Sequence, residues 1–145
     1  MSQLTMTKAE REAFLAGVHV GVVGVDDGDR GPLTVPVWYG YEPGGDVRFI
    51  TGGESRKAGR LARAGRASLC AQSETAPYQY VTVEGPVTVE PGVDADERRA
   101  IAHRYLGAEL GDAYIASTEA EAAGSVTVTL QPERWLTVDY GKMFG

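Results

Sequence analysis

The chain has 145 residues, a size typical of one domain, and 43% of them are hydrophobic, which is enough for a globular core. No apolar run approaches the roughly 20 residues of a membrane-spanning helix, and the sequence does not start like a signal peptide. The net charge of −6 argues against nucleic acid as a main partner, and the single cysteine cannot form an internal disulfide. We therefore expect one cytoplasmic domain over residues 1–145, with neither a membrane nor a nucleic acid as partner.

The first third of the chain predicts one helix and three strands. Thr7 and Glu10 have the spacing of a capping box, so a short amphipathic helix should begin there and end near Gly17. The segment 26–31, rich in Asp and Gly, predicts a turn. The apolar runs before and after this turn predict strands over 18–25 and 33–41, and a further apolar run predicts a third strand over 47–51.

The second of these strands carries Pro36, which cannot donate a hydrogen bond to a neighbouring strand. One side of the strand should therefore be unpaired at that point, as at a sheet edge, a bulge or a ligand. Trp38 and Tyr39 should point to opposite faces, because side chains alternate along a strand. For Trp38, core packing and a cofactor contact are equally open.

The third strand leads through two glycines into Ser55-Arg56-Lys57, the predicted start of a helix. Ser55 is a good N-cap, whereas Arg56 and Lys57 lie in the first helical turn, where the helix dipole disfavours cations. A bound phosphate would explain this arrangement, since backbone N–H groups, a hydroxyl and two cations converge there. Removing either cation should then leave the stability of the ligand-free protein almost unchanged. The alternative is an exposed basic helix start with solvated side chains.

The rest of the chain alternates between strands and helices. Helices are expected over 56–64, 94–107 and 112–122, and strands over 66–71, 78–89, 125–130 and 135–140. In the long strand 78–89, Val81 and Val83 should face the core, while Tyr80 lies on a polar and aromatic face that suits a ligand or a second subunit. Gly85-Pro86 predicts a bend or bulge in this strand.

Three residues with reactive side chains have ordinary structural interpretations. His19 lies in an apolar strand and is expected to be structural, and His103 has charged neighbours and should be exposed. Cys70 should be a small buried hydrophobe, with no histidine near it in sequence.

These motifs resemble the pyridoxamine 5'-phosphate oxidase-like superfamily, the split-barrel flavin and deazaflavin oxidoreductases. The residues that carry the resemblance are the strand 33–39, Phe49-Ile50-Thr51, Ser55-Arg56-Lys57 and the strand 80–85, and the likeness covers about residues 7–140. The resemblance implies a mainly β fold with inserted helices, namely a split β-barrel of the FMN-binding type. It also implies a homodimer with the cofactor in a groove between the subunits.

The resemblance further implies an oxidoreductase whose cofactor transfers a hydride to a small unsaturated organic substrate. Coenzyme F420 is the expected cofactor, with Arg60 and Arg63 near its oligoglutamate tail, and FMN is the alternative. No metal site and no catalytic side chain is identified. The implied cofactor-binding residues are Pro36, Val37, Trp38, Ile50, Thr51, Ser55, Arg56, Lys57, Arg60 and Tyr80.

Two other classes of protein remain open. One is a flavin-binding protein without turnover. The other is a haem-binding relative, which would need an axial ligand from His19, His103, Cys70 or a methionine.

Overall fold

The computed structural model describes residues 3–144. The elements follow one another as α1 (Lys8–Ala16), β1 (Gly21–Val25), β2 (Leu33–Val37), β3 (Val47–Gly52), α2 (Arg56–Ala64), β4 (Arg66–Gln72), β5 (Gln79–Pro91), α3 (Ala95–Ser117), α4 (Glu119–Ala122), β6 (Ser125–Leu130) and β7 (Arg134–Asp139). A short 3-10 helix, Tyr140–Met143, comes after β7. The capping box predicted at Thr7 and Glu10 is present and starts α1.

The strands form one curled antiparallel sheet whose two ends are β2 and β3. The strand order is β2-β1-β4-β5-β6-β3, and β7 pairs with β5. Strand β5 joins the two halves, because it pairs with β7 up to Glu84, with β4 up to Pro86 and with β6 from Val87 onwards. The sheet stays open between β2 and β3, so the predicted fold, a mainly β split barrel with inserted helices, is confirmed.

The core fills the inside of this curl. Side chains alternate along each strand, and the inward set is apolar and almost fully buried. Helices α1 and α2 add Leu15 and Leu61, and the buried hydroxyl of Tyr39 donates to the carbonyl oxygen of Leu15 at 2.7 Å. The inward strand residues include Val23, Phe49, Leu69, Val81, Val83, Val128 and Leu130.

Two predicted strands are shorter than expected. The first begins at Gly21 rather than at Val18, because Gly21 already pairs with the last residue of β2 and the last but one of β4. No strand remains to cover Val18, whose side chain is 59% exposed. The second strand ends at Val37, and beyond it only Gly40 makes an isolated bridge, to Arg48 of β3.

Pro36 lies on the edge strand, as its missing N–H predicted. Within residues 3–144, strand β2 is hydrogen-bonded only to β1, so its other side faces the opening of the barrel. The prediction of an unpaired side at this proline is confirmed.

Two helical segments are predicted after β5, the first ending at Gly107. Gly107, with a φ of 81° and a ψ of 175°, is not helical and divides α3 into two pieces, so the first piece ends where the sequence predicts. The second piece continues to Ser117, and the short α4 follows it. Across the kink, the His103 Nε2 atom lies 2.7 Å from the Asp112 Oδ1 atom, and a Cβ on Gly111 would come within 2.5 Å of the His103 ring. His103, expected to be exposed, is therefore half-buried in this contact.

Gly85 marks the point at which β5 changes partners. The pairing register with β4 stays regular through Gly85 and Pro86, so no bulge interrupts the strand there. The glycine is required for a different reason: a Cβ at this position would lie 1.8 Å from the carbonyl oxygen of Gln131, in the segment that leads from β6 to β7.

We expect Gly85→Ala to lower the free energy of unfolding by about 3 kcal/mol, because the added methyl group forces two backbone segments apart. Urea denaturation followed by circular dichroism measures the change. The control is Gly59→Ala in the middle of α2, where an added Cβ meets nothing within 4 Å. This substitution should raise the free energy of unfolding by about 1 kcal/mol, because alanine favours a helix more than glycine does. A Gly85→Ala protein as stable as the wild type would refute this account of the crossing.

Candidate functional site

A cavity of about 760 Å³ lies at the opening between β2 and β3. One wall is formed by the ends of these two edge strands, and helices α3 and α4 form the opposite wall. This volume is in the range of small-molecule binding sites. The lining residues from the sheet side include Pro36, Val37, Trp38, Ile50, Thr51 and Gly52, with Lys57 at the start of α2.

The cavity exists because β2 and β3 separate after one contact. Gly40 and Arg48 exchange two backbone hydrogen bonds, of 2.8 and 3.0 Å. Gly40 lies three residues beyond the end of β2, and Pro36 within β2 has no N–H to offer to a neighbouring strand. Within residues 3–144, β2 and β3 themselves do not pair. Helix α3 then packs over the gap instead of a strand.

Trp38 is held in an aromatic stack on the cavity wall. Its ring lies parallel to that of Tyr105, with centroids 5.1 Å apart, and Tyr114 packs at 5.4 Å on a tilted plane. The Tyr105 hydroxyl donates to the His19 carbonyl oxygen at 2.7 Å and accepts from the Tyr39 N–H at 3.1 Å. Trp38 is thus both packed and lining the cavity, while Tyr39 points into the core, as strand alternation predicted.

Lys57 places an ammonium group in the cavity wall without an internal partner. Among the residues that the structure describes, no hydrogen bond or ion pair holds its side chain. Partial burial lowers the pKa of Lys57, because desolvation disfavours the charged form. A half-buried cation at a helix N-terminus lacks the counter-charge that such a position favours, so an anion would stabilise it there.

Ser55 caps helix α2, as predicted. Its hydroxyl accepts from the N–H of Ala58 at 3.1 Å and donates to the carbonyl oxygen of Gly52 at 2.8 Å. These two bonds fix the geometry of the turn between β3 and α2.

Arg56 and Arg60 turn towards a carboxylate instead of the cavity. They are separated by four residues, so they share one face of α2. Both reach Asp27 of the β1–β2 turn: Arg56 Nη2 contacts Oδ2, and Arg60 Nε lies 2.6 Å from Oδ1. The Asp27 side chain is only 2% exposed. Its Oδ1 atom accepts no well-directed hydrogen bond, so the contact with Arg60 is ionic.

The family model for pyridoxamine 5'-phosphate oxidase matches residues 7–139 of the sequence. This chain belongs to that family. The superfamily consists of flavin-binding oxidoreductases with a split-barrel fold, as the motif 55–57 and the strand around Pro36 predicted. No curated protein sequence matches this one significantly.

Solved structures with the same fold differ widely in what they bind. The conserved hypothetical protein Rv2991 from Mycobacterium tuberculosis has a TM-score of 0.78 at 20% identity, over 100% of this chain and 92% of that one. A protein described as an F420 reductase has a TM-score of 0.62 at 17% identity, with coverages of 86% and 94%. The FAD and heme binding protein from Mycobacterium smegmatis has a TM-score of 0.69 at 17% identity, with coverages of 95% and 73%. These likenesses concern the fold.

The structure brings together only some of the binding residues that the family resemblance implied. Arg56 and Arg60 are paired with Asp27, Ser55 is used as a helix cap, and Tyr80 lies on the outer face of β5 opposite Gln72. Their contact with a cofactor stays a prediction. The residues that do line the cavity together are Pro36, Val37, Trp38, Ile50, Thr51 and Lys57.

The wall contributed by α3 and α4 was missed by the sequence reasoning. Arg98, 13% exposed, lines the cavity and donates to the Thr118 hydroxyl at 2.7 Å and the Ile115 carbonyl oxygen at 3.2 Å. Tyr114 completes the aromatic stack on Trp38. No local pattern signals these roles, because they depend on how α3 crosses the opening. Asp27 was also missed, since its segment reads as an ordinary turn.

The histidines and the cysteine have structural contacts away from the cavity. His19 stacks on Phe14 with centroids 4.2 Å apart, and burial lowers its pKa. Cys70 is half-buried on β4 opposite Val22. Residues 3–144 hold no group of three His, Cys, Asp or Glu side chains that could bind a metal ion, and no helix among them is long and apolar enough to cross a membrane.

The pairing with Asp27 changes the stability expected of the arginine variants. We expect Arg56→Met and Arg60→Met each to lower the free energy of unfolding of the ligand-free protein by about 1–2 kcal/mol, less than for a fully buried pair because both arginines are partly exposed. The double variant should lose more than the sum, because it leaves a buried carboxylate without a cation. Urea denaturation measures the free energy of unfolding of the two single variants and of the double variant.

Lys57→Met is the matched control on the same helix turn. Lys57 has no internal partner in the described chain, so its loss should leave the stability unchanged or slightly raised. Equal small effects for Arg56, Arg60 and Lys57 would show that Asp27 does not depend on its arginines.

Proposed function

We propose that this protein is an oxidoreductase that transfers a hydride between coenzyme F420 and a small unsaturated organic substrate. One observation carries the proposal: among the described residues, the cavity at the barrel opening is lined by an ammonium group without an internal partner, Lys57, and by the half-buried aromatic ring of Trp38. A flavin-type cofactor has the matching parts, a phosphate and a planar ring system.

The residues present fit such a cofactor. The phosphate would lie by Lys57 and the first backbone N–H groups of α2, where a helix N-terminus favours an anion. The ring would lie along the end of β2, at Val37 and Trp38, facing Ile50 and Thr51 of β3. When bound, the cofactor would supply the hydride chemistry, and the protein would bind and orient the reactants.

Helices α3 and α4 would exclude water from the ring side of the cavity. Ile101, Ala102 and Tyr114 present apolar and aromatic surface there. The arrangement is kept in place by the bonds of Arg98 to Thr118 and to the Ile115 carbonyl. A dry wall opposite the ring protects a hydride donor from side reactions with solvent.

FMN is the alternative cofactor, and the pairing of Arg60 removes one of the two cations expected to meet the tail of F420. A free Arg60 was part of the reason for expecting F420, since its oligoglutamate tail needs cations beyond the phosphate. Arg60 is instead held by Asp27, which leaves the exposed Arg63 to meet a tail. FMN needs no such cations, because its charge ends at the phosphate.

A second subunit is part of the proposal. The outer face of the sheet carries Val22, Cys70, Thr82 and Leu136 in one row across β1, β4, β5 and β7. Leu136 is 61% exposed and Val22 is 40% exposed. Pro36 pairs with Val22, so this mostly apolar row continues to the edge of the cavity. A homodimer formed through this face would bury its exposed apolar side chains and would place Tyr80 of each subunit at the interface. We propose that this homodimer acts in the cytoplasm.

The haem alternative finds little support in the cavity. Within residues 3–144, no histidine, cysteine or methionine lines its walls, so an axial ligand would have to come from elsewhere. A flavin-binding protein without turnover would have the same cavity, so only an activity assay distinguishes it from an enzyme.

Titration of F420 and FMN into the purified protein tests the cofactor assignment. We expect tighter binding of F420 than of FMN, and Lys57→Met should weaken both about ten- to a hundredfold, as loss of a charge-assisted hydrogen bond predicts. Arg63→Met, on the exposed side of α2, is the control for FMN and should leave its affinity unchanged.

Each result has a defined meaning. Unchanged dissociation constants in Lys57→Met would remove this residue from the site, and clear preference of the wild type for FMN would establish the alternative. Turnover of enones or quinones by the protein loaded with reduced cofactor separates an enzyme from a binding protein. Absence of turnover with every substrate class would favour the latter.

The dimer is tested by sedimentation at micromolar concentration. We expect the wild type to be a homodimer and the variant Val22→Asp/Leu136→Asp to be monomeric, because two charges in an apolar interface cannot be solvated. Leu110→Asp is the control, since Leu110 is 63% exposed but lies on α3 away from the sheet face. A monomeric wild type with cofactor bound would contradict the proposed interface.

A further inference from the structure

Asp27 is the buried charge that the proposed function does not use. Its carboxylate comes from the turn between β1 and β2 and is 2% exposed, although turn residues are usually solvated. It lies against the first two turns of α2, where Arg56 and Arg60 approach it from the same helix face. An isolated carboxylate at such a depth would be strongly destabilising, so the two arginines are its necessary partners.

The contact also decides what the arginines can do for a ligand. Arg56, Lys57 and Arg60 together bring three cations to the start of α2, but Asp27 occupies the two arginines with one buried negative charge. Lys57 is the member of this group that lines the cavity, and it has no partner in residues 3–144. The charge offered to an anion is therefore much smaller than the sequence Ser55-Arg56-Lys57 indicates.

We infer that Asp27 is a specificity-determining residue of the anion site: it holds Arg56 away from the cavity and so leaves recognition of a single phosphate group to Lys57 and the α2 N-terminus. The ligand class is a compound with one phosphate group, and this inference rests on the proposed cofactor site. Asp27 does not touch the ligand but acts through Arg56.

Removing the carboxylate should act on the anion site through one residue. Arg56 would be free to turn from Asp27 to an anion beside Lys57, its neighbour in the first helical turn. A purely structural role for Asp27 predicts no such effect, since it would alter stability and leave the affinity of the folded protein for anions unchanged.

The test uses Asp27→Asn, which keeps the shape of the side chain and removes its charge. The probes are FMN, riboflavin and inorganic phosphate, each titrated by calorimetry into the wild type and the variant. We expect the variant to bind FMN and inorganic phosphate about three- to tenfold more tightly, with a steeper dependence on salt, since one further charge-assisted contact is made. Riboflavin has no phosphate, so its affinity should not change.

The variant Asp27→Asn/Arg56→Met identifies the residue through which Asp27 acts. The gain for FMN should be lost in this double variant, whereas it should persist in Asp27→Asn/Arg60→Met. Asp27→Asn/Arg60→Met also serves if the single variant Asp27→Asn does not fold, because it keeps only one arginine, Arg56, beside the neutral side chain at position 27. Unchanged or weaker phosphate binding in a folded variant without Asp27 would overturn the inference.

Failure of this inference can be told from failure of the proposed function. If the wild type binds no flavin or deazaflavin, the proposed function fails, but the comparison of inorganic phosphate between wild type and variants still tests Asp27. If FMN binds and Asp27→Asn leaves its affinity unchanged, the cofactor site stands and the role of Asp27 is refuted.

Discussion

The separation of β2 from β3 is the feature on which the site depends. A seven-stranded sheet of this length could close on itself, yet within residues 3–144 β2 and β3 do not pair, and only Gly40, beyond the end of β2, bridges to Arg48 of β3. Pro36 contributes to this, because it cannot donate to a strand placed beside it. Closure would fill the interior with side chains, whereas the opening leaves two strand ends with free backbone and side chains that face a cavity. Helices α3 and α4 cover that opening without sealing it.

Charge is distributed around this opening in two different ways. Lys57 lines the cavity and remains unpaired within the described chain, so it offers an electrostatic contact to whatever binds there. One residue earlier, Arg56 serves a buried carboxylate, and Arg60 joins it from the next helical turn. Neighbouring cations thus have different roles, because successive side chains on a helix point about 100° apart. The cost of burying Asp27 without them explains why the arginines cannot be released freely.

Much of the fold could be predicted from the sequence because its signals are local. The capping box of Thr7 and Glu10, the N-cap Ser55 and the bounds of α2 and β6 depend on residues within a few positions of one another. Gly85 shows the limit of such reasoning. It reads as a bend or bulge, but the glycine is required because the backbone at Gln131 crosses it. That contact joins positions 46 residues apart, which no local pattern describes.

The same distinction holds for the site. Sequence by itself determined the family, the unpaired strand side at Pro36, the opposite directions of Trp38 and Tyr39 and the cation at Lys57, because alternation and helix starts are short-range properties. Only the tertiary structure decided that Arg56 and Arg60 meet Asp27, and that Arg98 and Tyr114 build the far wall of the cavity. These contacts depend on where the β1–β2 turn and helix α3 come to lie once the sheet has curled. Burial and pairing of charge are consequences of that packing, so they cannot be read from the order of residues alone.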